Sequence, residues 1–183
     1  RKICIMNIEK KYYTVDSVEL VNLLMEHINA SEIVSFDTET DSLNMRKGSI
    51  VGWSVSGAEG VGFYLPTQIW NAVTQQLEEC QIGGKGAHSI TKKLLPMLKG
   101  KKLVMHNASF DTRFVKNYYG IDLLEDLWVD TGLLVHTVQE EGAFGFGNPF
   151  GLKSIAIMNQ KALGLDIEEA ANKEQLELKE SIK

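Results

Sequence analysis

The sequence predicts an α/β fold, a mixed sheet with helices packed on it, and three observations carry that prediction. Strand-like apolar runs gather in the first third of the chain. Helical periodicity dominates the remaining two thirds, and one further short apolar run, Leu103-Val104-Met105, is set among those helices. The chain has 183 residues, a little more than one domain at roughly 150 residues each. No shift in composition marks a second domain, so residues 1–183 are expected to form one. With 44% hydrophobic and 23% charged residues, it is neither a disordered nor a fibrous chain.

In order along the chain, Ile3-Cys4-Ile5-Met6 has the character of a short strand. Asp16 and Glu19 stand at capping-box spacing, and Val18, Val21, Leu24, Met25 and Ile28 recur at helical period, which predicts a helix over about 17–30. Ile33-Val34-Ser35-Phe36 reads as a strand running into Asp-Thr-Glu-Thr-Asp. Two more runs, Ile50 to Ser56 and Val61 to Leu65, flank the turn-like Gly57-Ala58-Glu59-Gly60, so the first three strands are expected to be antiparallel. Helical patterns come next at about 68–79, 89–98, 108–119 and 131–139. A glycine-rich loop spans 142–149, and further helices are expected over 152–163 and 167–181.

No apolar run approaches the roughly 18 residues of a membrane-spanning helix, so no membrane partner is expected. Cys4 and Cys80 are far apart and lack histidines at ligand spacing, which excludes a disulfide framework and a zinc site and suits an intracellular, reducing location. The net charge of -5 excludes nucleic-acid binding by general basicity, while leaving room for a local basic groove. Between Glu79 and Asp111 there is no acidic residue, whereas Lys85, Lys92, Lys93, Lys99, Lys101 and Lys102 all fall there. They could guide a phosphate backbone, or simply form a solvated helix face and turn. The chain opens at Arg1 without a signal-peptide pattern and reads as part of something longer.

The carboxylates carry the chemistry. Asp37 and Glu39 lie two apart at a strand end, so their side chains share one face while Thr38 points to the other. Like charges that close repel unless a cation or proton lies between them, and an all-oxygen set suits Mg²⁺ or Mn²⁺. With 24 acidic residues an Asp-x-Glu triplet is expected about 0.7 times by chance, so solvated strand-end charges are the plainer reading of the triplet by itself. Asp111 supplies a third carboxylate. It comes after His106-Asn107, directly past the apolar run at 103–105, with Asn107 placed as an N-cap and Asp111 in the first turn of the next helix. The helix dipole alone would favour an acid there. Yet the carboxyl ends of strands are where open α/β sheets hold ligands.

Taken together, Phe36-Asp37-Thr38-Glu39-Thr40-Asp41-Ser42-Leu43, Ile50-Val51-Gly52, Gly62-Phe63-Tyr64-Leu65-Pro66 and His106-Asn107-x-x-Phe110-Asp111 resemble the 3′–5′ exonuclease domain of family A DNA polymerases, within the DEDD superfamily that also holds ribonuclease D. Val129-Asp130-Thr131-Gly132-Leu133-Leu134 and Gly151-Leu152-Lys153-Ser154-Ile155-Ala156 look like later helices of the same domain, so the resemblance runs from about residue 16 to 165. It implies a ribonuclease H-like mixed sheet, antiparallel in its first three strands and then parallel. It also implies two-metal hydrolysis at the 3′ end of single-stranded DNA, with two Mg²⁺ or Mn²⁺ ions, in proofreading for a polymerase domain of the parent chain. On that resemblance Asp37 would bridge both ions, Glu39 would join it on the ion that activates water, and Asp111 would hold the other. Thr40 and Leu43 match positions that meet the terminal nucleotide; Asn107 and Phe110 match positions along the strand's path, with His106 beside them. For Leu43 and Phe110 taken singly, core packing is the simpler expectation, as a packed ring is for a lone His106.

One motif is missing. The family carries Tyr or His followed four residues later by Asp on a helix after the Gly-Leu-Lys segment, and nothing after Gly151 fits; Asp166 has Ala162 four positions earlier. Tyr118-x-x-x-Asp122 has the spacing in the wrong place. A truncated domain is therefore expected, weakly active or inactive as it stands. The alternatives are a ribonuclease D-like enzyme on RNA 3′ ends and a non-catalytic domain that binds nucleic acid.

Overall fold

The computed structural model describes residues 9–138 together with 151, 152, 155 and 156. The chain divides into two compact units, and the larger one, Ile8–Thr131, holds the six-stranded sheet. It opens with a strand the sequence did not announce, β1 (Lys11–Thr14), whose mostly exposed residues show no alternation to detect. The strand expected at 3–6 lies outside the described residues, as do the loop at 142–149 and, apart from Leu152 and the helical Ile155 and Ala156, the two helices expected after it.

Helix α1 (Val18–Ala30) forms as expected, with Leu24 and Ile28 on its buried face. Its cap is Ser17, whose hydroxyl accepts from the Leu20 N–H at 3.3 Å, and the capping box expected on Asp16 does not form. The fully buried Val15 fixes where the chain turns, and the first helical hydrogen bond, Val21 N–H to the Ser17 carbonyl, starts the helix one residue later.

Strand β2 (Ile33–Thr40) continues into the acidic segment, with a register shift between Glu39 and Thr40. Val34, Phe36 and Thr38 face the core and the residues between them face out. It pairs antiparallel with β3 (Ile50–Ala58), from Ser35 opposite Ser56 to Glu39 opposite Gly52. A turn at Glu59-Gly60, with Gly60 at φ 76°, returns the chain as β4 (Val61–Pro66). The antiparallel trio is thus as expected, and β1 adds in parallel on the outer side of β4.

The helix expected over 68–79 is instead a β-hairpin, β5 (Gln68–Asn71) and β6 (Gln76–Glu79). Asn71 decides this: its Oδ1 accepts from the N–H groups of Val73 and Thr74, and Gln75 reverses the chain at φ 52°. Ile69 and Trp70 are exposed, so no buried face was available to hold a helix. A second small hairpin, β7 (Gln81–Ile82) and β8 (Lys85–Gly86), turns on Gly83-Gly84, both at positive φ, and leads into α2 (Ala87–Leu94) and a 3₁₀ turn at Leu95–Leu98.

Strand β9 (Lys102–Met105) lies parallel to β2, and α3 (Ala108–Tyr119) comes after it, ended by Gly120 at φ 73°. A further unforeseen strand, β10 (Leu127–Asp130), pairs parallel with β9 before α4 (Thr131–Val138). The six-stranded order β1-β4-β3-β2-β9-β10 is mixed, antiparallel and then parallel. Trp53 anchors the core beneath it, its indole N–H donating to Thr91 Oγ1 of α2 at 3.0 Å. No helix among the described residues is long and apolar enough to cross a membrane.

Candidate active site

The site forms where β2 and β9 part. Their pairing ends at Ser35 opposite Val104, and β9 itself stops at Met105, so the backbone of β2 beyond Phe36 loses its neighbour on that side. Asp111, in the first turn of α3, fills the gap. Its Oδ1 accepts from the Thr38 N–H at 2.9 Å and from the Thr38 hydroxyl at 2.6 Å, and it is 2% exposed. A strand N–H that would otherwise be orphaned is satisfied by a carboxylate.

Asp37 and Glu39 occupy the other face of β2, as the alternation required, and both are exposed. All three carboxyls are raised above their ordinary values. For Asp37 partial desolvation leads and the charge of Asp111 adds to it, while His106 works in the opposite sense. For Glu39 desolvation leads and Asp37 adds to it. For Asp111 burial outweighs its hydrogen bonds from Thr38, and Glu39 pushes the same way. Each of the three therefore feels at least one of the others, a repulsion that adds to the desolvation each one bears. As donors they fit a hard divalent cation: all oxygen, mutually repelling, and relieved by its arrival. As placed they do not yet close into a cage; no group of three His, Cys, Asp or Glu among the described residues stands ready around one point.

His106 is half-buried just past the end of β9, its Nδ1 2.9 Å from Thr131 Oγ1. Asn107 holds the N-cap position expected of it, but in the left-handed region at φ 57°, ψ 49°, and its side chain makes no cap. Asp130 caps α3 instead, one oxygen accepting from the Asn107 N–H at 3.0 Å and the other from the Ala108 N–H at 2.8 Å. Thr40 is half-buried and donates to the Ser42 carbonyl. Leu43 is 86% exposed in the loop after β2, so the packing reading fails for it. It holds for Phe110, which lies against the core with its ring 4.9 Å from that of Phe114. The lysine-rich stretch does not gather at the carboxylates. Lys102 stands at the opposite end of β9 in an ion pair with Glu32, Lys99 faces Glu125 and Asp126, and Lys101 donates to the carbonyls of Asn29 and Ser31. Asp122, the acid of the misplaced Tyr118-x-x-x-Asp122 pair, is engaged by Lys116 and the Leu124 N–H.

Three residues of the site, Thr38, Asp130 and Thr131, were not foreseen from sequence. Thr38 was visible only as the residue pointing away from the acids, and Asp130-Thr131, at the start of a helical pattern, suggests a cap for its own helix rather than for α3.

Several solved structures share this fold. The EXO domain of Nibbler from Aedes aegypti is 11% identical with a TM-score of 0.50, over 78% of this chain and 63% of its own. The catalytic core of RRP6 from Trypanosoma brucei is 15% identical at 0.51, over 73% and 32%. Escherichia coli RNase D, an exoribonuclease involved in structured RNA processing, is 17% identical at 0.51, over 85% and 34%. This chain spans less than two thirds of the length of each. The likeness is one of fold, the ribonuclease H-like mixed sheet flanked by helices. No curated protein matches the sequence. The profile of the 3′–5′ exonuclease family matches residues 12–175, which takes in every strand and helix of the site, and the chain belongs to that family.

Proposed function

We propose that this chain is a 3′–5′ exonuclease domain that shortens single-stranded DNA from its 3′ end, inside the cell and in the service of a DNA polymerase as its proofreader. The observation that supports the reading is that Asp37 and Glu39 lie on one face of β2, Asp111 fills the gap left by β9, and each carboxyl is raised in part by the charge of another. Divalent cations, two Mg²⁺ or Mn²⁺, held by these three carboxylates would supply an activated water and neutralise charge on the scissile phosphate. The chain's own residues do the rest. Thr38 fixes the rotamer of Asp111 through two donors to one oxygen. Leu43, exposed just beyond Thr40, offers an apolar edge to a terminal base, and His106, Asn107 and Phe110 border the strand's path. A frayed, mismatched end enters more often because unpairing it costs less.

A second reading, RNA 3′ ends as the substrate, is supported by the likeness in fold to E. coli RNase D. Degradation of 5′-labelled DNA and RNA strands of one sequence, with Mn²⁺ and with Mg²⁺, beside an Asp37→Ala control, decides between them. A ladder on DNA that the control lacks supports the proposal. Faster loss of the RNA strand moves the assignment to a ribonuclease. Silence on both, repeated in a version of the protein extended past Lys183, would leave only a strand-binding domain.

A further inference from the structure

Asp130 and Thr131 lie at the end of β10, outside every catalytic motif, yet the corner from His106 to Ala108 is tied down on them. Asp130 receives the Asn107 and Ala108 N–H groups on separate oxygens. Thr131 Oγ1 lies 2.9 Å from His106 Nδ1 and 3.2 Å from the Met105 carbonyl. We propose that these two residues are the positioning device of the nuclease site. Asp130 holds the left-handed corner from which α3 departs, and Thr131 fixes His106 as the Nδ1–H tautomer, so that Nε2 is the nitrogen left to meet the substrate strand.

The hydrogen-bond arithmetic makes the argument. A carbonyl oxygen only accepts, so the Met105 oxygen takes the single proton of the Thr131 hydroxyl. Toward His106 the hydroxyl oxygen can then only accept, and Nδ1 must carry hydrogen. His106 stands just past the end of β9, and its charge acts on Asp37 against the desolvation and the Asp111 charge that raise that carboxyl. The imidazole is thus held at the end of β9 with one nitrogen spent. Asn107 takes a positive φ, which asparagine visits more readily than most residues, and its side chain accepts from the Ser109 hydroxyl but does not cap α3. The carboxylate of Asp130 does so, accepting two N–H groups of the first turn of α3 where the dipole favours an anion. Since Asp111 sits one turn further along α3, the aim of the third carboxylate depends on this corner as well.

The role in the reaction rests on the exonuclease reading; the tautomer does not. In the metal-free protein with ¹⁵N-labelled histidine, at a pH that keeps the ring neutral, the expected spectrum shows His106 Nδ1 protonated and Nε2 bare. His106→Gln assigns the signals. Thr131→Val, which keeps the shape and removes the hydroxyl, is expected to let the tautomers mix, and Thr131→Ser to restore the original one. In the strand-shortening assay Thr131→Val should lower kcat by roughly 10–100-fold, as loss of a residue that orients a site group does, with KM little changed. Thr131→Ser should recover most of it. A His106 that carries hydrogen on Nε2 in the unaltered protein, or a spectrum that Thr131→Val leaves as it was, overturns the proposal whether or not the protein degrades DNA. A normal spectrum shift with no activity in any version would instead count against the exonuclease reading alone.

Discussion

Asp37 shows how the surroundings of one residue set both its chemistry and its cost. Its carboxyl is raised by desolvation and by the charge of Asp111, and Glu39 and Asp111 are raised beside it. A carboxyl with a higher pKa in the fold than in the open chain binds its proton more readily when folded. Stability therefore falls as pH rises from the ordinary carboxylate range through the raised folded values, and above them the cost is fully present. Without divalent cations, Asp37→Asn should be more stable than the unaltered protein at neutral pH, with the difference shrinking as pH falls through the carboxylate range. Urea unfolding at a series of pH values in chelator measures this; a variant weaker at neutral pH would show that the three charges do not burden the fold. Thr38 offsets part of that burden. Hydrogen bonds to a charged partner contribute about 1.5–3 kcal/mol each, and it directs two of them to one oxygen of Asp111.

At the scale of elements, local hydrogen bonds decide between sequence signals of equal weight. Asp16 and Ser17 are both good caps, and the structure uses Ser17. Ser17→Ala should cost about 1 kcal/mol, whereas Asp16→Ala should stay within about 0.5 kcal/mol, the range of surface substitutions; denaturant midpoints for the pair discriminate them, and the reverse order would return the cap to Asp16. The same competition explains which elements could be read from sequence. Helices α1 and α3 and strands β2, β3, β4 and β9 announced themselves because each buries a periodic face. The β5–β6 hairpin read as a helix because it buries no face at all, and its one decisive signal, the Asn71 side chain capping its own turn, does not depend on periodicity. Strands β1 and β10 are four residues long and acquire their identity from partners distant in sequence, β4 and β9. Of the site, the acids on β2 were legible from the period of two. That Asp111 is held by Thr38, and the start of α3 by Asp130, was not, because both ties join residues that only the sheet brings together.

For the whole molecule, the pleat that sets Asp37 and Glu39 on one face has a consequence for chain length. Substitutions along β2 change one contact at a time, but an insertion or deletion of a single residue between Ile33 and Phe36 inverts every position beyond it, turning Asp37 and Glu39 inward and Phe36 and Thr38 out. The segment is tolerant of spelling and intolerant of frame. The β5–β6 turn is the opposite case, since Val73 is 92% exposed and nothing downstream takes its register from the residues at its tip. In a library of single-residue insertions scored by soluble yield, the tip around Val73 should be populated and the stretch from Ile33 to Phe36 empty. Any lineage of such chains would then drift in length at the hairpin while the distance from strand start to acid stays fixed, as if counted.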